Sequence, residues 1–245
     1  MSEANADQIV HWNERAGPTW VELQKRLDAM LAPFGDAGIE ALGPKAGENI
    51  LDVGCGTGAT TMALAEKVGP HGAVTGLDIS RPMLAHAQAR SAITPEYNID
   101  FVAADAQTHE LPPARFDAVF SRFGVMFFDD PAAAFANIGA AVTPGGRMSF
   151  VCWRDPKDNP WSTEPARLAR PYVELPPRPG PDEPGQFSFA DADRVERLLV
   201  AGGWTGIAVD RFDIDHLYAP DVDGAIDRSR QMGPQAAATA AAPAE

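Results

Sequence analysis

Between residues 49 and 153 the chain alternates short apolar runs with longer mixed segments. The runs at 49–53, 73–77, 99–103, 116–121 and 148–153 have the length and composition of strands. The segments between them carry helix signals. A helix is expected over 60–68. Ser80 offers an N-cap for the next helix, with Pro82 in its first turn, where a missing N–H costs nothing. Asp130-Pro131 opens a helix expected to run through Val142 and to be ended by Pro144-Gly145-Gly146. Five strands alternating with helices predict an α/β fold with a doubly wound, mostly parallel, Rossmann-like sheet.

Upstream, Trp20, Leu23, Leu27, Met30, Leu31 and Phe34 recur at i, i+3/i+4 spacing and form one apolar stripe of an amphipathic helix after Gly17-Pro18. Pro33 and Gly35 predict its end or a kink, and a second short helix over 37–42 is stopped by Gly43-Pro44. Downstream, residues 155–188 are rich in proline and read as a surface excursion of the lid or binding-loop kind. A helix over 193–201 follows, capped by Gly202-Gly203. Residues 204–218 then alternate like one or two strands, with Ile207, Val209, Phe212 and Ile214 on one side, and the tail after Gly233 is rich in alanine. The organisation is a helical cap (1–45), a core (46–154) and a C-terminal part of the same domain (155–245).

Composition narrows the function classes. Hydrophobic residues make up 45% and charged residues 22%, ordinary values for a globular protein. The net charge of −14 disfavours nucleic acid, whose affinity comes from Lys and Arg neutralising phosphates, and equally an anionic membrane surface. The polar, acidic N-terminal residues lack a basic and apolar leader pattern, and no apolar run approaches a membrane span. The expectation is a soluble cytoplasmic protein. Cys55 and Cys152 form no C-x-x-C pair, and no metal site is expected. They belong to the first and fifth strands, which a further strand is expected to separate by roughly 9–10 Å, too far for a disulfide.

The chemistry gathers at the ends of the strands, where ligands of open parallel sheets bind. Residues 50–61 read I-L-D-V-G-C-G-T-G-A-T-T. The loop is G-x-G-x-G, one residue shorter than the dinucleotide fingerprint, and Asp52 would repel a pyrophosphate. Ala59 and Thr60 follow Gly58, so the Lys of a triphosphate-binding loop is missing. A nucleoside-bearing ligand without phosphates, carrying a positive group, fits better. Asp78, 20 residues after Gly58, is placed to accept hydrogen bonds from a ribose diol, and Asp105 to accept an exocyclic amine of adenine. Ribose, adenine and a cationic amino-acid tail together describe S-adenosylmethionine.

The segments L-D-V-G-C-G-T-G, G-L-D-I-S, A-A-D-A-Q, F-D-A-V-F-S-R-F and V-T-P-G-G occur in the order and spacing of known motifs. In them the chain resembles the class I S-adenosylmethionine-dependent methyltransferases, nearest to the small-molecule group that includes the ubiquinone-biosynthesis type. The resemblance covers about residues 47–153 and reaches N-terminally to H-W-N-E-R-A-G-P-T-W. It implies that Asp52, Gly54, Cys55, Gly56, Thr57 and Gly58 surround the methionine part of the cofactor. It implies that Asp78 holds the ribose, with Ile79 and Met83 near the nucleoside. Asp105 and Ala106 then read the adenine edge, and Ser121 and Arg122 pass beneath the sulfonium. Trp12 and Trp20 are candidates for the aromatic that closes over the cofactor, Trp12 the better one because Trp20 lies on the apolar stripe. An aromatic face near a sulfonium adds about 0.5–2 kcal/mol of attraction.

Among the histidines, His11 and His216 fall in segments expected near the substrate mouth and are the candidate general bases, while His71 and His109 are expected to be solvated in turns and His86 to lie on the surface of a helix. Cys55 is expected to pack rather than to act as a nucleophile. The run 125–128 is expected as core or pocket wall, and Asp129 and Asp130 as the start of a helix. Enzymes that methylate base amines show an Asn/Asp-Pro-Pro-aromatic segment where this chain has Ser121-Arg122-Phe123-Gly124. The expected acceptor is therefore a small, fairly apolar or aromatic molecule, met by a region that includes Trp161, Phe187 and Phe189. An S-adenosylmethionine-binding protein without transferase activity and, less favoured, an NAD-dependent oxidoreductase are the alternatives. The family's sheet usually ends in an antiparallel pair of strands. Here the pair is either incomplete or supplied by 204–218 through a turn near 210–213.

Overall fold

The computed structural model describes residues 4–175, 177, 179–180, 182–215, 218–219, 221–231 and 236. Its centre is a five-stranded parallel sheet of order β3-β2-β1-β4-β5, formed by β1 (Asn49–Val53), β2 (Ala73–Asp78), β3 (Asn98–Ala103), β4 (Phe116–Arg122) and β5 (Val142–Val151). Ile50 pairs with Val74 on one side and Ala118 on the other, so β1 is covered on both edges. Successive β1 side chains serve opposite layers, which is why the strand is apolar throughout. Ile50 joins Ile39, Leu42, Leu64, Val68 and Phe120 in one cluster. Leu51 and Val53 join Val119, Phe135, Ile138 and Leu199 in the other.

The helices are α1 (Ala6–Val10), α2 (Ala16–Glu22), α3 (Gln24–Leu42), α4 (Ala59–Val68), α5 (Arg81–Ser91), α6 (Pro131–Ala140), α7 (Pro160–Ala169), α8 (Ala192–Ala201) and α9 (Val222–Gln231). A π-helical turn, His11–Arg15, joins α1 to α2. The expected break at Pro33 is absent. The break falls at Leu23 instead, and α3 runs uninterrupted through the proline. Leu27, Leu31, Gly35, Gly38, Ile39 and Leu42 are all buried on one face, so the packed stripe continues across Pro33. Pro33 itself is exposed, and burial of the opposite face outweighs the lost hydrogen bond.

Three other expectations change. Pro144-Gly145-Gly146 does not end α6, which stops at Ala140. The triplet lies within β5, where the register against β4 slips between Phe116 and Ala118 and Gly145 takes φ 82°. The strand then presents Arg147, which donates to the carbonyls of Leu42 and Gly43 at the end of α3 and pairs with Glu48 at 2.8 Å. Ser80 holds the N-cap position of α5, but its hydroxyl donates to the carbonyl of Trp12 rather than capping the helix. Residues 204–215 form no strand. Trp204 is tied to the Phe135 carbonyl, Ile207 packs against the core, and Val209 and Phe212 stay about half exposed, so the alternation has no ladder to join. The outer edge of β5 has no strand partner among the described residues.

The proline-rich excursion is more ordered than its composition suggests. It contains α7, and its end is built into the core. Ser188 Oγ and the Gly185 N–H both donate to the Met126 carbonyl, and Phe189 packs on Phe135 and Phe150. Asp130 caps α6 by accepting the Ala133 N–H, as expected. Pro33→Ala restores a helical donor on the exposed face of α3. It is expected to stabilise the fold by about 1–3 kcal/mol, read as a raised urea midpoint with unchanged slope; a lower midpoint would show that the proline shapes α3 productively.

Candidate cofactor and substrate site

A cavity of about 810 Å³ opens beyond the carboxyl ends of the strands, where β1 and β4 part. That is the crevice position expected for a ligand in such a sheet, and its size is near the top of the ~300–1,000 Å³ range of small-molecule sites. Its walls come from the loops after β1, β2, β3, β4 and β5 and from α7 and α9. The N-terminal helices form a cover. They are held there by Asn13, which donates to the Ile79 carbonyl and accepts the Arg81 N–H, and by the Ser80–Trp12 bond. Gly17 makes that bond possible, because a Cβ there would lie 2.0 Å from the Trp12 carbonyl oxygen.

Of the residues singled out in the sequence, His11, Trp12, Trp20, Gly54, Gly56, Asp78, Ile79, Met83, Asp105, Ala106 and Arg122 line this cavity. Trp12 packs edge-on against both Trp20 and Phe127, which makes the two tryptophans one aromatic cover. Asp52, Cys55, Thr57, Gly58 and Ser121 do not reach the wall. Asp52 lies beneath the loop, fully buried, with one oxygen accepting the hydroxyls of Thr60 and Thr61 and the other unpartnered. Cys55 is buried, and desolvation, with Asp78 and Asp52 near, pushes its thiol well above the ordinary range; this suits packing and not nucleophilic attack. Burial likewise lifts Cys152 to about 11, and both cysteines are free. Thr57 faces away, its carbonyl accepting Arg90, and Ser121 accepts the Gly124 N–H. His216 lies outside the described residues. His11 is at the rim, its pKa lowered by burial and by Arg15.

Asp78 does two things. Its oxygens accept the backbone N–H groups of Gly56 and Ser80, each at 2.8 Å, stapling the glycine loop to the start of α5. It also lines the cavity, leaving lone pairs for a further donor. Asp105 accepts Gln107 N–H and the side-chain amide of Asn5, whose own carbonyl accepts Asp129 N–H. Asn5 adopts φ 55° to make these bonds, a role no spacing in the sequence indicates. Among the acceptor-region aromatics, Trp161 lines the cavity, whereas Phe189 belongs to the core. Phe123, Trp153, Tyr218 and Arg228 also line it, without having been singled out beforehand. His86 is partly exposed on α5, with an unpartnered Nε2.

The sheet order, the crevice and the loop over a buried acid define a class I Rossmann-like cofactor domain. Residues 50–146 match the methyltransferase-domain family. The aklanonic acid methyltransferase DauC of Streptomyces sp. (strain C5) is 35% identical over 119 residues, covering 49% of this chain and 54% of that protein. A crystal structure of an S-adenosylmethionine-dependent methyltransferase from Aquifex aeolicus superposes with a TM-score of 0.52 at 20% identity, covering 72% of this chain and 81% of that one. The [4+2]-cyclase SpnF shares the fold as well, with a TM-score of 0.55 at 18% identity over 77% of this chain and 71% of its own. The chain spans about half the length of the curated relative it matches. Through this core, a methyltransferase-domain match over residues 50–146, the chain is similar to the class I S-adenosylmethionine-dependent methyltransferases. No described helix is long and apolar enough to cross a membrane.

Burial pushes the carboxyls of Asp52 and Asp78 up to about 6 each, against the bonds from Thr60, Thr61, Gly56 and Ser80 that favour ionisation. Their pKa values in the folded state exceed the unfolded ~3.9. The folded state therefore holds more protons between about pH 4 and 6, and stability falls as pH rises through that window. Asp52→Asn keeps an acceptor for the two threonines and removes one such titration. The variant is expected to gain about 1–3 kcal/mol over wild type at pH 7 and almost nothing at about pH 3, measured by urea unfolding across that range.

Proposed function

We propose that this protein transfers a methyl group from S-adenosylmethionine to a small, flat, largely apolar acceptor. The observation that carries this reading is that one cavity is lined both by the strand-end acids Asp78 and Asp105 and by the aromatics Phe123, Trp153 and Trp161. When bound, the cofactor supplies a methyl activated by its sulfonium. The protein's work is alignment and exclusion of water, and orientation alone contributes about 7–11 kcal/mol to lowering such a barrier.

In this reading Asp78 accepts the ribose hydroxyls, with Ile79 and Met83 against the nucleoside. Asp105 and Ala106 face the adenine edge. Gly54 and Gly56 let the methionine part approach the backbone, and Asp52 acts on its ammonium through space from beneath the loop. Trp12 and Trp20 close over the cofactor. Arg122 makes no ion pair or hydrogen bond among the described residues, although Asp28, Asp36 and Asp52 surround it at a distance. Its side chain passes Gly35, where the missing Cβ leaves it room, and lines the cavity close to the glycine loop. We assign it the methionine carboxylate. His11 at the rim, with its lowered pKa, is neutral at pH 7 and is the candidate base for an acceptor that must lose a proton.

Support for the acceptor class comes from the walls and from the name of the aklanonic acid methyltransferase. The test is a screen of phenolic, carboxylic and enolic polycycles with methyl-labelled cofactor, scored by S-adenosylhomocysteine release. Product with a small acceptor supports the reading, and cofactor binding with no turnover on any acceptor supports a binding protein. Asp78→Ala and Arg122→Met are each expected to weaken S-adenosylhomocysteine at least about tenfold in calorimetry; unchanged affinity in either removes that residue's assignment.

A further inference from the structure

The glycine loop turns on three residues of positive φ, Gly54 at 69°, Gly56 at 57° and Gly58 at 82°. Glycine has the most backbone freedom to lose on ordering, so the shape of this loop depends on the bonds that hold it. Gly54 and Cys55 N–H both donate to the Leu77 carbonyl, Gly56 N–H to Asp78, and Gly58 N–H to the Cys55 carbonyl. From the carbonyl side the loop is held by Arg90 of α5, whose Nη1 donates to the Thr57 carbonyl at 2.7 Å.

Arg90 is engaged at both terminal nitrogens. Its Nη2 pairs with Asp28 of α3 at 2.8 Å, and the same carboxylate oxygen accepts the Gln24 side-chain amide. The two charged side chains are 24% and 21% exposed, so the pair escapes much of the screening that weakens surface ion pairs. A guanidinium serves a carbonyl and a carboxylate at once because its donors diverge in one rigid plane, and an ammonium has no such fixed fork. Arg90 thus joins α5, the glycine loop and α3, whose Met30 and Leu31 line the cavity. The Gly56–Thr57 peptide lies between the Asp78 and Arg90 anchors. It makes no hydrogen bond among the described residues, and Gly56 lines the cavity.

Resting on the methyl-transfer reading above, we infer that Arg90 is a positioning residue for the amino-acid part of the cofactor: bridged to Asp28, it holds the Thr57 carbonyl and so presets the Gly56–Thr57 peptide that this part meets. Arg90 does not itself line the cavity, so its effect reaches the ligand through the loop. The nucleoside, assigned to Asp78, Ile79 and Asp105, does not call on that peptide. A loop ordered beforehand costs less to bind than one the ligand must order. Loss of the clamp therefore falls on ligands that carry the amino-acid tail.

The experiment compares S-adenosylhomocysteine with methylthioadenosine, which shares the nucleoside and lacks the amino-acid tail, by calorimetry on the full chain. Amide hydrogen exchange of the ligand-free protein accompanies it. Arg90→Met is expected to weaken S-adenosylhomocysteine at least about tenfold and to leave methylthioadenosine within about twofold. Exchange at Gly56 and Gly58 is expected to speed up at least about tenfold more than at β1. Arg90→Lys, which keeps the charge and loses the fork, is expected to fall between, and it carries the same comparison where Arg90→Met does not fold. Equal weakening of both ligands, or unchanged S-adenosylhomocysteine affinity, overturns the inference. Asp28 also lies near Arg122 and favours its charge. A tail-selective loss with loop exchange that only tracks β1 would therefore run through Arg122, and it overturns the inference as well. Failure of wild type to bind either ligand would instead overturn the methyl-transfer reading, and the clamp on the loop is still read from the exchange.

Discussion

The site depends on one backbone contact. Gly54 after β1 and Gly124 after β4 lie so close that a Cβ on Gly54 would come within 2.7 Å of the Gly124 Cα, and a Cβ on Gly124 within 2.9 Å of the Gly54 Cα. Two strands that diverge from a parallel sheet are thus held together at the crevice mouth. Gly54 also has φ 69°, a conformation a side chain would strain. The contact turns the chain sharply after Arg122 and leaves Phe123 at φ 60°, outside the usual range for an aromatic residue. Stacking on Trp153 and edge contact with Phe34 hold that strained residue in place. The glycine loop thus frames the crevice mouth and also positions the aromatic wall of the cavity.

A second constraint is the cost of two carboxylates buried under the same loop. Asp52 and Asp78 are each desolvated, and each raises the burden on the other or on Cys55 between them. The loop hydrogen bonds recover part of this cost. Asp78 fixes Gly56 and Ser80, and Asp52 fixes the first turn of α4 through Thr60 and Thr61. The unpartnered Asp52 oxygen and the surplus lone pairs of Asp78 remain as negative potential directed at the loop and the cavity. A cationic ligand bound over the loop would relieve the strain on both acids, and stability lost in the free protein would return as binding energy.

How legible this was in the sequence depended on range. The five strands and the acids after them were readable because a parallel strand is apolar on both faces and its chemistry follows at its end. Of the proposed cofactor residues, those on loops that end a strand mostly reach the cavity. Asp52, Cys55 and Ser121 do not, because the same pleat that presents one residue buries its neighbour. Long-range docking left no local trace. Asn5 on Asp105, Gly17 under the Trp12 carbonyl, and Arg147 capping α3 are contacts between distant segments, and composition does not encode them. Pro33 misled for the same reason, since a stripe buried against β4 and β5 overrides a local helix breaker.

The aromatic part of the cavity wall was the least readable, and its construction explains why. Phe123, Trp153, Trp161, Tyr218 and Arg228 come from five separate places in the chain, none with a spacing that marks it. Four of these places lie beyond residue 146, where the family match ends. The family match covers the strand-end loops and stops at residue 146, so the side chains that the later segments deliver to the cavity have no shared motif to mark them. The polar part of the cavity wall is built on the ends of β1, β2 and β3, which the sheet holds rigid. The aromatic part is carried largely by α7, α9 and the chain between them, packed onto the β4 and β5 ends. That outer layer is separable from Asp78 and the glycine loop, and the same fold is found in solved structures as different as a methyltransferase and a [4+2]-cyclase, so the fold alone does not set the reaction.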